Sequence, residues 1–501
     1  MGTGLDSLMC VSILYTRALL ASQLPVDRVP NNLYIGGKDG TDGSGQHFRR
    51  AQVHVAVKGN ILLYSFTPLI LCTGDTADGA VVWRNPAPNS ALTQPRPLAV
   101  IAAKEDRDEV LRPLIPQIEQ EITSVSNHGF NMQYMDKELH VTVHSSLTMF
   151  DDKMRAALQG TGGAFCQMCK ISKPKCHCID YVVNGFTVDR TIADMHSIFN
   201  FLTGSGEMSE VPRRKDDYDV RAGVTAEPIT HRDLNAAIPV THAWIRCASW
   251  YLNILYHVVG KDNTWGFGNK TDARFKKLMK AKEKIQGIFA TPLGVKIDTV
   301  DSTGHSGNTL TAKIAKKFFS KKCRPLALLS PFVNNTQLQV IERLHINLEI
   351  ILRVITSTHT KIDLENFQTL CTATYVDILT HLKWVDLTPT VHKVLAHAPE
   401  LIEKNMSMGL GHLSEEGLEA CNKIIRRFRV SWTLQLNDDA NLKDLLRKMW
   451  LISDPLFYSF RRTLKCPKCG DTGHQRKCPV KQQVANVADE SDSRLDMMFV
   501  D

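Results

Sequence analysis

An α/β core interrupted by a long, mostly helical insertion is the fold class this sequence predicts. Three observations carry that reading. Residues 30 to 100 are β-rich, LHVTVHSSLTMFDD (139 to 152) is an alternating strand that ends in acids, and residues 185 to 410 turn to amphipathic helices. At 501 residues the chain is too long for a single hydrophobic core. Its 43% apolar and 22% charged content is that of an ordinary globular protein. No apolar run approaches the ~20 residues of a membrane span. A net charge of +8 is compatible with a nucleic-acid partner without requiring one.

Taken in order, MGTGLDSLMCVSILYTRALLASQLP has an apolar stretch but no leading cations, so it reads as a helix rather than a secretion signal. GGKDGTDGSG carries turn signals, AQVHVAVKGN alternates as a strand does, and ILLYSFTPLILC is a continuous apolar run of buried-strand type. NPAPNS after Trp83 closes this hairpin-rich stretch. KEDRDEVLRPLIPQIEQEI is helical, with its acids early, where the helix dipole favours them. Strands, a helix, a strand ending in Asp and then a distant acidic helix form the order of an RNase H-like α/β nuclease core. The clearest segments of the insertion are THAWIRCASWYLNILYHVV and NTQLQVIERLHINLEIILRVI, joined by polar loops.

The thirteen cysteines are unevenly placed, and six of them sit in two CxxC pairs (Cys166/Cys169 and Cys466/Cys469) and one CHC run (Cys176, His177, Cys178). This pattern favours metal binding in a reducing compartment over disulfides. Cys166-Gln-Met-Cys169 presents two thiolates of a knuckle, and tetrahedral zinc asks for two further ligands. The CHC run is either a local feature or a source of a substitute ligand. Cys466, Cys469, His474 and Cys478, with Gly470 and Gly473 at tight turns, resemble a gag-type zinc knuckle, one residue short before its last Cys. The six cations around it suit contact with nucleic acid.

Near the end of the chain, GHLSEEGLEACNKIIRRFRV (411 to 430) is a helix by pattern. Leu418, Cys421, Ile425 and Phe428 form its buried stripe. Glu419 lies at the border of that stripe, with Lys423 and Arg426 on its face and Arg427 and Arg429 flanking it. Such a column suits a metal ion beside a phosphate backbone, or an ordinary Glu–Lys pair on a solvated helix. SEEGLEACNKIIRRFR resembles the catalytic helix of the large subunit of the RAG recombinase and of its relatives, the invertebrate RAG-like (ProtoRAG and Transib-type) DDE transposases. Other blocks resemble the same family. They are HKVLAHAPE, PAPNSALTQPRPLAVIAAKED, PVTHAWIR (the family's preceding Asp-x-Leu being changed) and GHSGNTLTAKIAKKFF.

The resemblance spans residues 33 to 478 and implies the following. Asp39, Asp151 and Glu419 are the catalytic acids, with Asp42 and Asp152 as the competing choices at the first two positions. They hold two Mg2+ (or Mn2+) ions per active site. Asp39 is placed in a short turn after a strand, and Asp151 after an aromatic residue. His392 and His397 complete a zinc site with Cys166 and Cys169; Pro399 turns the second ring, which an ideal helix would set about 140° from the first. One zinc sits in the insertion and one in the C-terminal knuckle. Lys423, Arg426, Arg427, Arg429, Asn308, Lys313, His242 and Arg246 face DNA.

The activity implied is nicking of double-stranded DNA at terminal inverted repeats or signal-like ends, followed by transesterification to a hairpin. A nuclear homodimer with a smaller kelch-type partner is implied, and no membrane. The family's DNA-binding region ahead of the core is not visible in the 38 residues before Asp39, which points to a fragment or a decayed copy. A non-enzymatic zinc-knuckle nucleic-acid-binding protein is the alternative. The chain divides as a residual helical segment (1–30), the first part of the core (31–165), a zinc-binding helical insertion (166–405), C-terminal catalytic helices (406–460), a CCHC knuckle (461–480) and a disordered acidic tail (481–501).

Overall fold

The apolar run after residue 60 becomes the best-paired strand of a six-stranded sheet, hydrogen-bonded to three neighbours in the computed structural model. The structure describes residues 16–22, 24–44, 60–89, 95–103, 108–162, 166–171, 175–203, 223–234, 237–269, 271–297, 310–358, 361–405, 409–434, 438–457 and 459. AQVHVAVKG, read above as a strand, lies outside them, as do Asn308 and the whole CCHC motif (Cys466, Cys469, His474, Cys478).

The strands are β1 (Asn32–Ser44), β2 (Ile61–Thr73), β3 (Val81–Arg84), β4 (Arg96–Ile101), β5 (Phe130–Tyr134) and β6 (Lys137–Leu147). The helices used below are α1 (Asp108–His128), α2 (Asp152–Gln159), α3 (Val240–Val259), α4 (Ala273–Leu293), α5 (Ala312–Phe318) and α6 (Asn335–Thr356). They continue with α7 (Leu364–His381), α8 (Pro389–Ala396), α9 (Ala398–Lys404), α10 (Glu416–Ser431) and α11 (Asp438–Ile452). The described residues fall into two compact units: one within 1–160, 227–236 and 412–459, the other within 161–226 and 237–411.

In the first unit the sheet runs β3-β2-β1-β6-β5, with β4 also on β2. β1 pairs antiparallel with β2 and parallel with β6, the mixed pairing that α1 makes possible by crossing between them. Both faces are covered, which explains why β2 is buried almost throughout and mostly apolar rather than alternating. Leu62 and Tyr64 pack with Leu111 and Ile115 of α1 and Met154 and Leu158 of α2. Ile61 and Leu63 pack on the other face with Leu418, Cys421 and Ile425 of α10 and Leu445 and Met449 of α11. The predicted stripe of α10 is therefore its buried side, with Phe428 partly covered.

One sequence reading is corrected. GGKDGTDGS is not a turn but the body of β1. Its glycines answer to close packing: a Cβ on Gly37 would stand 2.2 Å from the Phe66 ring, and one on Gly40 2.2 Å from the Met149 carbonyl oxygen. A glycine-rich strand and a glycine-rich loop look alike in one sequence, because the deciding contacts come from elsewhere in the chain.

The second unit is helical in its described residues, with α3 and α6 the most deeply buried. No described helix is long and apolar enough to cross a membrane. His345 of α6 is 0% exposed among the rings of Tyr251, Phe318 and Phe319. Burial, with Arg324 pushing the same way, lowers its pKa to about 3. Unfolded, the ring takes its proton near pH 6.5, so its contribution is intact above that pH and falls as pH drops toward 3. The slope approaches about 1.4 kcal/mol per pH unit. Urea unfolding of wild type against His345→Leu between pH 7 and 4 should show the wild type losing ground at that rate. A difference that stays constant with pH would contradict it.

Candidate active site and metal centre

Asp39 lies in β1 opposite Phe66 of β2 and beside Leu147 of β6. Its carbonyl accepts the amides of Thr148 and Met149, each at 3.0 Å, so the chain leading to Asp151 is tied to the same place. The Asp39 side chain is 0% exposed. Arg232 grips it with both guanidinium nitrogens at 2.8 and 2.9 Å, while Tyr64 and Ser145 hydroxyls donate to its two oxygens at 2.5 Å. Burial works against the charge on Arg232, but Asp39 outweighs it and holds the guanidinium above its ordinary pKa. Tyr64 is pushed well up by burial and by Asp39.

Arg232 is delivered by a strap. Glu119 of α1, itself 3% exposed, accepts from the Thr230 hydroxyl and from the His231 amide at 2.9 Å. Arg112 binds Glu227 at 2.9 Å, and Ile229 and Leu234 enter the core under α1. Sequence reading missed Arg232, Tyr64, Ser145 and Glu119. Nothing in TAEPITHRDLNAA marks a segment that returns from the insertion to the sheet.

Asp151 caps α2, accepting from the Met154 amide at 2.7 Å, and Asp152 is the helix's first residue. Glu419 is half-buried in the first turn of α10. The Asp39 carboxylate stands on the α1 face of the sheet, whereas α10 covers the opposite face. On that face lies Asp42, three residues on, which accepts from Asn422 of α10 at 2.7 Å. Among the described residues, Asp39, Asp151 and Glu419 do not form a set whose donor atoms all lie within 4.8 Å of one another. The donor type suits a hard cation, yet in this arrangement Arg232 already neutralises Asp39.

Lys423, Arg426 and Arg427 of α10 are exposed. Arg429 is 0% exposed, which corrects the expectation that it faces DNA: it falls on the inward side of the helix. In the second unit Lys313 and Arg246 are exposed and His242 is half-buried.

The Cys/His cluster is collected. Cys166, Cys169, His392 and His397 place one donor atom each within 4.8 Å of all the others, and all four are buried. The helix break predicted at Pro399 is what aims the rings: α8 ends at Ala396, His397 is its C-cap, and α9 starts at Ala398. The rings stand 5.1 Å apart and nearly perpendicular. Cys166 Sγ lies 3.5 Å from His397 Nε2, and Cys169 Sγ lies 3.5 Å from His392 Nε2. A zinc tetrahedron with ordinary Zn–S and Zn–N bonds has S···N edges of about 3.6 Å. The donor set therefore fits zinc.

Tyr375, which sequence reading also missed, bonds His392 Nδ1 at 2.8 Å and donates to the Cys176 carbonyl at 3.0 Å. That relay places the imidazole proton on Nδ1 and turns the Nε2 lone pair toward the thiols. Burial alone would raise the Cys166 thiol, but Cys169 and the two imidazoles reverse this and hold it well below its usual range. Cys169 is raised in turn, chiefly by Cys166.

The sheet, its two covering helix layers and the first unit's topology define an RNase H-like domain. Residues 35–164 match the family described as the recombination-activation protein 1 (RAG1) RNase H domain. V(D)J recombination-activating protein 1 of Ginglymostoma cirratum is 38% identical over 65 residues, 13% of this chain and 58% of that protein. The proteins of the same name from Xenopus laevis and Oncorhynchus mykiss are 35% identical over 74 residues and 34% over 79. Those stretches cover 15% and 16% of this chain and 7% of each relative. This chain is thus similar to RAG1 proteins, with the family match at residues 35–164, and it aligns to less than two thirds of each of these relatives.

Proposed function

We propose that this chain is the core of a RAG-like DDE transposase or recombinase: a DNA endonuclease and strand transferase of the invertebrate RAG-like kind. The observation that supports this reading is the parallel β1–β6 pair within the RAG1-like segment, in which Asp39 is paired with Leu147, four residues before Asp151. Asp39, Asp151 and Glu419 are the candidate holders of Mg2+ or Mn2+, with Asp42 as the β1 acid nearest α10. Bound there, the ions would polarise the phosphate and lower the pKa of the attacking water. The guanidinium of Arg232 and an ion at Asp39 are alternatives, because both neutralise the same carboxylate. Lys423, Arg426 and Arg427 are suited to the DNA backbone. Nicking followed by hairpin formation at element ends, a homodimer, a kelch-type partner and nuclear location accompany this reading, as do a zinc in the insertion and another in the C-terminal knuckle.

A non-enzymatic, nucleic-acid-binding descendant is the second reading, favoured by one observation: Asp39 is closed off and charge-compensated. Nicking of supercoiled plasmid in Mn2+ separates the two. Under the first reading Glu419→Gln lowers nicking by on the order of 10²-fold or more and leaves salt-dependent DNA binding in place. Binding without nicking by the wild-type chain supports the second reading, and equal nicking by the variant contradicts the first.

A further inference from the structure

The CHC run brings a further thiol beside the zinc-binding cluster, outside the set of four whose donor atoms all lie within 4.8 Å of one another. Cys176, in the turn Lys175–His177, is 7% exposed, and its Sγ lies 4.0 Å from His392 Nε2. Cys169 Sγ stands 3.5 Å from the same nitrogen. Cys176 is thus about half an ångström outside an S···N edge of the zinc tetrahedron. Its backbone is held there by the Tyr375 hydroxyl, the group that also orients His392. Arg190, 2% exposed and bonded to the Cys169 carbonyl at 3.0 Å, brings a buried positive charge to the same spot. Two thiolates and two neutral imidazoles leave Zn2+ electrically neutral. A third thiolate would give the centre one negative charge for Arg190 to balance.

We propose that Cys176 is a reserve ligand of this centre, which takes over the fourth position when one of the primary donors leaves. In the exchange the Cys176–metal bond forms as the His392–metal bond breaks. The thiol proton passes to solvent, and the imidazole leaves neutral. The proposal rests on the zinc reading of Cys166, Cys169, His392 and His397, and it makes the site tolerant of losing His392.

The test uses the full chain with Cys466→Ser and Cys469→Ser, so that the knuckle motif does not contribute, loaded with Co2+. Thiolate-to-cobalt charge-transfer intensity counts the sulfur ligands. The starting protein should show two thiolates, and His392→Ala should keep the ion and show three, a rise of about one half in intensity. His392→Ala with Cys176→Ser should return to two and give up the ion to a chelator that leaves His392→Ala loaded. Cys169→Ser, a nearly isosteric change that does not depend on His392→Ala folding, should still show two.

Two thiolates in His392→Ala, one in Cys169→Ser, or three in the starting protein would each overturn the reserve role. Failure of the zinc reading itself looks different: Cys166→Ser with Cys169→Ser would then hold as much Co2+ as the starting protein.

Discussion

Replacing Arg232 with alanine is expected to cost the metal-free chain about 3–5 kcal/mol, because it strands the fully buried Asp39 carboxylate without its cation. Millimolar Mn2+ should return much of that loss to the variant while changing the wild type little. The same ion finds an unpaired carboxylate in one protein and an occupied one in the other. Urea unfolding with and without Mn2+ gives the comparison. Equal destabilisation in both conditions would mean that Asp39 holds no ion. Arg232→Lys should fall between, since an ammonium keeps the charge but cannot reproduce the two parallel hydrogen bonds or the third to the Ser145 carbonyl.

The second large effect is expected at the Cys/His cluster. Structural zinc contributes folding free energy outright, on a scale comparable to the whole stability of a domain. Cys166→Ser with Cys169→Ser, or prolonged chelation of the wild type, should lower the melting midpoint of the helical unit by more than about 10 °C. The first unit's transition should shift far less, because the four donors all belong to the second. An unchanged midpoint after chelation would mean that no metal at this cluster stabilises the helical unit.

How much of this was legible beforehand depends on how local the signal is. The apolar stripe of α10 and the strand at 139 to 147 repeat at their own periods, so one stretch of sequence suffices to read them. The break that lets His392 and His397 converge is written in Pro399, and Cys166-x2-Cys169 declares itself by spacing. The acid site is different. Asp39 sits in a glycine-rich strand whose neighbours, Phe66 and Met149, decide that the glycines mean close packing and not a turn. Arg232 reaches it from 193 residues away along a strap with no periodicity. Arg429 looks like its exposed neighbours Arg426 and Arg427 until the helix is docked, because a cation on the inward side leaves no mark in composition. The resemblance to RAG-like proteins supplied the names of the acids, and only the coordinates reveal the guanidinium that competes for the first of them.

Anomalous diffraction from crystals of the full chain soaked in Mn2+ tests the central claim most directly. The account predicts manganese roughly 2.1–2.2 Å from a carboxylate oxygen of Asp39, with the Arg232 guanidinium withdrawn. Manganese bound elsewhere, with the Arg232–Asp39 pair intact, would contradict it.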